Sequence, residues 1–275
     1  MKKKNIFVEH KQFTLFLILA LVIVGVAIFA PWIAPKDPLE AVMLDSLKAP
    51  CKEYPLGTDK LGRDLLSRVI FGTRTSLVST LILVAVIFVV GTVLGVLAGY
   101  FGGLVDEVIM RIADMMISFP GLVLAIAIAG MLGPNLVNAV IAISAVSWTK
   151  YARLARSMVL KVKKSLYIEA AVVNGTKTWK ILLVHVLPNM VTQMVVTAAA
   201  DIGTMMLELA SLSFLGFGAT APTPEWGLML NEGRTYMAKA PWLMIYPGIA
   251  IVICVVVFNM LGDSIRDVLD PRQDQ

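Results

Sequence analysis

Residues Lys150 to Pro188 form a cationic, non-apolar stretch set between apolar runs long enough to cross a bilayer. No other feature restricts the fold as much. In a hydrocarbon core every backbone polar group must be paired within the protein, so unbroken apolar runs of this length are read as helices. A loop between them that is crowded with Lys and Arg belongs on the cytoplasmic side. The stretch carries Lys150, Arg153, Arg156, Lys161, Lys163, Lys164, Lys177 and Lys180 against the single acid Glu169, a net +7 where the whole chain has +5. The expected fold is an all-α membrane protein.

Composition agrees. Hydrophobic residues make up 58% of the 275 and charged residues 16%, where soluble domains run near ~25% charged. The length suits one membrane domain. The basic balance does not indicate nucleic acid, because the excess charge lies beside membrane spans. Cys51 and Cys254 are far apart and give no disulfide framework; with His10 and His185 also isolated, no metal motif or cofactor site is visible.

Six spans are expected by length and apolarity. The first, Phe13 to Trp32, follows a basic head of Lys2, Lys3 and Lys4, and is longer than a signal-peptide core. It reads as a retained span. The others run Leu77–Tyr100, Met115–Leu132, Leu136–Trp148, Met190–Phe217 and Leu243–Leu261. The third and fourth form a hairpin at Gly133-Pro134-Asn135, a strong turn signal. This divides the chain into an N-terminal span with an extracytoplasmic segment (1–76), a core transmembrane domain (77–263) and a cytoplasmic tail (264–275). Both termini are then cytoplasmic. The segment Gly102 to Asp114 is expected as a cytoplasmic loop, although it holds Asp106, Glu107 and Asp114 against Arg111 alone. In the polar stretch Ala34 to Ser76, Asp59 is a plausible N-cap of a short surface helix striped with Leu65, Leu66, Val69 and Ile70.

Three features within the spans bear on function. Gly91, Gly95 and Gly99 stand four apart and allow close helix packing. Asp201 and Glu208 lie on nearly one face of the fifth span, where a charge costs several kcal/mol unless it faces a cavity or a partner. Either they line a translocation path or they are paired inside the bundle. Met205 and Met206 between them could give soft ligands to a metal, and Met205 joins Asp201 and Glu208 as a candidate for that path, but methionines at such positions are usually packing residues.

The cationic stretch contains its own helix signal. Leu166 to Val173 are good helix formers, Ser165 can cap the start, and Gly175 ends the helix. Ala170 and Ala171 beside Glu169 would allow close seating in a cleft of another protein. Leu187 and Pro188 close the segment.

These motifs resemble one family along nearly the whole chain. They are Gly57-Thr58-Asp59-x-Leu61-Gly62-Arg63-Asp64-x-x-Ser67-Arg68, Ser118-Phe119-Pro120, Tyr151-Ala152-Arg153-x-x-Arg156, the Glu169 loop, Ser213-Phe214-Leu215-Gly216, Pro224-Glu225-Trp226-Gly227 and Asp270-Pro271-Arg272. Together they look like the second permease subunit of the dipeptide, oligopeptide and nickel ABC importers. The run Asp201-Ile202-Gly203-x-Met205-Met206-Leu207 is most similar to the nickel branch. In the family's loop pattern an Ile stands where this chain has His185.

The resemblance implies a type I ABC importer permease fold of six transmembrane helices, in a bacterial inner membrane. It implies a second homologous permease, two ATPase subunits docked on the cytoplasmic coupling-helix loop, and an extracellular substrate-binding protein. Glu169, Ala170, Ala171, Gly175, Leu187 and Pro188 would couple to the ATPases. The chain has no phosphate loop of its own, so it is not expected to be an enzyme. Nickel, free or chelated, is the first substrate expected and short peptides the alternative. An ion-coupled secondary transporter would also carry intramembrane acids, but would need no docking loop.

Overall fold

The computed structural model describes residues 10–269. The basic head at Lys2, Lys3 and Lys4, the Asp270-Pro271-Arg272 ending and the tail beyond Leu269 lie outside the described residues. Among the described residues every regular element is helical, apart from a single bridge between Thr58 and Asp64.

Helix α1 (Lys11–Ile33) is the expected first span. Its Ala20, Ala27 and Ala30 are buried and lie on one side, facing the bundle. Helix α2 (Leu65–Phe101) runs 37 residues, roughly 55 Å at the rise of an α-helix. The expected surface helix and the second span are therefore one element, and the boundary drawn at residue 76 falls inside it. Its cap is Asp64, not Asp59. The Asp64 Oδ2 accepts from Ser67 N at 2.8 Å. Asp59 instead closes a tight turn, its Oδ1 accepting from Leu61 N (2.8 Å) and Arg63 N (3.0 Å).

After a reversal at Gly102, α3 (Gly103–Ile117) occupies most of the segment expected as a loop. It lies antiparallel against α5 (Leu136–Lys163), which explains its acids. Asp106 takes Arg156 Nη2 at 2.6 Å and Asp114 takes Arg153 Nη2 at 2.5 Å. Ala113 of α3 is buried against Trp148 and Ala152. The expected third span is broken at Ser118-Phe119-Pro120. Pro120 cannot donate to a helix, and α4 (Gly121–Leu132) leaves α3 at 94°. The hairpin at Gly133–Asn135 is present, with Asn135 Oδ1 capping α5 through Val137 N at 2.8 Å.

Helices α2 and α5 run parallel and closely packed, through the glycine stripe. A Cβ on Gly91 would stand 2.5 Å from Trp148 O and Tyr151 Cβ. One on Gly99 would stand 2.9 Å from Val159 Cβ, and one on Gly95 would strike Ala152 and Ala155. The two backbones thus approach closely over about two turns, as small residues permit in lipid.

The short α6 (Leu166–Val173) follows. Then comes α7 (Thr178–Phe214), which contains a π turn at Ile181–Val186 and carries Pro188 just beyond it, where a missing N–H is tolerated. A short α8 (Trp226–Gly233) leads to α9 (Trp242–Leu269), which packs along α7. Among the described residues α1, α2, α7 and α9 are long and apolar enough to cross a membrane, and the bent α3–α4 pair makes a fifth if taken as one span. The expected count of six is not reached on these criteria. The remaining long helix, α5, extends well past Trp148. Its second half carries Lys150, Arg153, Arg156, Lys161 and Lys163, which lower its apolarity.

Candidate functional site

The sequence-expected coupling residues gather on and after α6, near the end of α2 at Tyr100, where Lys163 Nζ reaches Tyr100 O at 2.7 Å. Ser165 precedes the helix in extended geometry but makes no side-chain cap; its Oγ donates to Val162 O at 2.6 Å. The far end closes as a Schellman turn. Gly175, at φ +71°, donates N–H to Val172 O, and Thr176 N donates to Ala171 O, both at 3.0 Å. An L side chain at that φ is strained, so glycine is required there.

Ile168 anchors α6. It is buried with Val159, Ile181, Val186 and Met190. Positions 166, 169, 170 and 173 share the opposite face by helical spacing, and all four are exposed. They are Leu166 (83% exposed), Glu169, Ala170 and Val173 (86%). Ala171 leans into the core and is only half exposed, so the two alanines do not form one open face. Tyr167 joins α6 to α7: its Oη accepts from Asn189 Nδ2 at 3.2 Å and its ring lies 6.3 Å from that of His185. Leu187 is half-buried and Pro188 exposed.

The intramembrane acids separate. Asp201 is buried, with Lys150 Nζ at 2.6 Å from Oδ1 and Tyr151 Oη at 2.8 Å from Oδ2. Sequence reasoning treated Lys150 as a loop charge. Its position only two residues past Trp148, the end of the apolar run of α5, is the available signal. Glu208 is half-buried, and among the described residues it has no hydrogen-bond or ion-pair partner. Met205 is buried in the core with Leu209 and Leu212 and does not join the acids in a ligand set.

At the other end of α2, the Gly57–Arg68 motif is consumed in an internal charge network. Arg63 and Arg68 are each 1% exposed. Arg63 Nε lies 2.6 Å from Asp59 Oδ2, and both guanidinium groups reach Glu232 Oε2, at 3.4 and 3.5 Å. Arg68 Nη1 also donates to Pro38 O and Pro222 O. Buried charges persist only when paired this thoroughly. Glu225 caps α8 by accepting from Gly227 N (2.9 Å) and Leu228 N (2.8 Å), and Trp226 Nε1 donates to Val69 O at 3.0 Å. The motif is a structural joint between the 34–64 segment, α2 and α8. No carboxylate–base geometry for catalysis is present in it.

This architecture is matched by known proteins. The family of binding-protein-dependent transport system inner membrane components matches residues 91–275, and the N-terminal transmembrane domain of oligopeptide transport permease C matches residues 5–50. The chain belongs to this permease family. It is 43% identical over 247 residues to the dipeptide transport system permease protein DppC of Alkalihalophilus pseudofirmus, covering 90% of this chain and 81% of that one. It is 44% identical to the glutathione transport system permease protein GsiD of Pectobacterium atrosepticum, covering 92% and 84%. With the dipeptide permease DppC of Haemophilus influenzae it shares 40% identity over 98% of this chain and 93% of the other. The inward-facing MetNI methionine ABC transporter has the same fold at a TM-score of 0.58, covering 74% of this chain and 96% of that one at 20% identity. The protein is thus a multi-pass inner-membrane permease subunit of an ABC importer. As a permease it is non-catalytic, and ATP is hydrolysed by separate subunits. Membership also implies a partner permease and a substrate-binding protein.

Proposed function

We propose that this permease forms half of the translocation pathway for short peptides, with α6 seated on an ATPase in the cytoplasm. One homologous permease and two ATPases would complete the membrane complex, with both termini on the α6 side. The exposed face of α6 carries the coupling reading. Leu166 and Val173 stand out from a helix that is closed by a Schellman turn and held by Ile168. Large apolar side chains displayed on a fixed helix fit a groove in another protein. Glu169, Ala170 and Gly175 allow that face to sit close. Leu187 and Pro188 begin the helix that would carry the motion into the bundle.

The relatives support the peptide reading. Those described above are named for dipeptides and glutathione, and they favour the peptide alternative over nickel. Among the described residues no group of three or more His, Cys, Asp and Glu is placed to hold a metal ion.

Binding of ATP would favour one arrangement of the ATPase pair, and α6 would pass the difference to the spans. Such coupling requires that ATP bind the two states with different affinity. Glu169→Lys and Gly175→Leu test it. Both variants should insert, yet lose dipeptide uptake and co-purify poorly with the ATPases. Uptake at the wild-type rate with equal expression would overturn the reading.

A further inference from the structure

We infer that one face of α7 lines the path, and that Glu208 on it recognises the ammonium group of the substrate. This rests on the import reading above and adds a residue and a chemistry to it.

Gln193, Thr197, Thr204, Glu208 and Ser211 fall within about 60° of arc at 3.6 residues per turn. All five are exposed or half-exposed, inside a helix otherwise apolar enough to span a membrane. The opposite face buries Met194, Met205, Met206, Leu209 and Leu212. Thr197 and Ser211 donate back to the carbonyls of Gln193 and Leu207, so their oxygens remain as acceptors on the open side. Lipid is a poor neighbour for such a row, and a carboxylate in contact with lipid costs several kcal/mol. Water fits it.

Along this face the charges are unequal. Asp201, at its edge, is neutralised by Lys150 and Tyr151. Glu208, seven residues on and so about 10 Å along the helix, has no hydrogen bond or ion pair among the described residues, although the charges of Asp201 and Lys150 both act on it. A free carboxylate in a partly dehydrated channel attracts a cation and disfavours an anion. A peptide with a free amino terminus presents an ammonium group that can donate up to three hydrogen bonds to it.

The test uses the assembled complex in membranes, with Cys51 and Cys254 replaced. Single cysteines at Gln193, Thr204 and Ser211 should react with hydrophilic methanethiosulfonates, whereas one at the buried Leu209 should not. At Thr204→Cys, one turn from Glu208, a cationic aminoethyl reagent should outpace an anionic sulfonatoethyl reagent. Glu208→Gln should cut that rate ratio by about tenfold, since one charge some 6 Å away in water changes each reagent's rate about threefold and in opposite senses. Glu208→Asp should keep it. In proteoliposomes with the loaded binding protein, Glu208→Gln should lower dialanine uptake at least about tenfold, since a partly buried ion pair exceeds that free energy, and Glu208→Asp should restore much of it.

Unreactive cysteines at all three positions would mean that the face packs against the second permease, and would overturn the inference. So would a rate ratio indifferent to Glu208. If the wild type imports no dialanine, the peptide reading fails instead; the thiol ratio still decides whether Glu208 faces water.

Discussion

The two ends of α2 treat polarity in opposite ways. Where α2 begins, charged residues are enclosed: Asp59, Arg63 and Arg68 are buried and pair with one another and with the partly buried Glu232, and the carbonyls of Pro38 and Pro222 accept from Arg68 Nη1. Where α2 ends, apolar residues are exposed: Leu166, Val172 and Val173 on α6 and Trp179 just after it lie open. Both regions are the best-marked motifs in the sequence. One is closed within the chain, and its residues report on folding. The other leaves its surface free, and its residues report on assembly. A sequence motif marks constraint without saying which kind; burial decides.

The largest effect should come from the closed end. Arg68→Ala strands Glu232 and Asp59 without one of their cations, and removal of one partner from a buried network costs roughly 3–5 kcal/mol. The variant should show much lower abundance in membranes and an earlier thermal transition in detergent. Wild-type stability for Arg68→Ala would dissolve the contrast between the two ends, because the network would then be ornamental.

The open end should respond in the reverse sense. The double variant Leu166→Ser, Val173→Ser removes apolar surface that nothing among the described residues covers, so its unfolding free energy should stay within about 0.5 kcal/mol. Co-purification with the ATPase subunits should nevertheless be lost. A destabilised but fully associated variant would show that α6 is packed by its own chain in the membrane.

The contrast also explains what was legible in the sequence. The apolar runs, the hairpin at Gly133–Asn135 and the helix closed by Gly175 depend on local chemistry, and local chemistry is written consecutively. The errors involve competition between levels. Asp59 is a good N-cap by type, but Asp64 is five residues nearer the long helix and takes the position. The acids at 106 and 114 lie in a segment that reads as a loop between two apolar runs, where they go against the basic bias. They are instead paired with Arg156 and Arg153 across a helical interface, while Val105, Val108, Ile109 and Ile112 carry a readable helical period. The bend at Pro120 was visible as a residue, yet hidden by the apolar run around it. The partner of Asp201 was the least legible, since Lys150 lies 51 residues away and becomes adjacent only when α5 packs beside α7.

The smallest effect should be electrostatic, between the two ends in character and lying in the polar segment after α1. Asp45 accepts from Lys48 Nζ and Tyr54 Oη, each at 2.5 Å. The hydrogen bond from Lys48, then that from Tyr54, holds the Asp45 carboxyl below its usual value of 3.8. The same contact with Asp45 pushes the Tyr54 hydroxyl up to about 12. A depressed carboxyl contributes stability above its unfolded pKa and loses it as pH falls through the folded one. A raised phenol contributes below its unfolded pKa and loses it as pH rises through the folded one. The stability difference between wild type and Asp45→Asn should therefore be flat between about pH 5 and 9, and should shrink below about pH 4. It should also shrink between about pH 10 and 12, from the unfolded to the folded value of the Tyr54 hydroxyl. Thermal unfolding of the purified complex across pH measures it. Because the Lys48 side chain is 44% exposed and the Asp45 side chain 16%, water screens this pair more than the buried arginine network although Tyr54 itself is buried, and the change should be smaller than that of Arg68→Ala. A difference that persists undiminished below pH 3 would show that Asp45 acts through packing, as a neutral side chain would, and would align this segment with the closed end of α2.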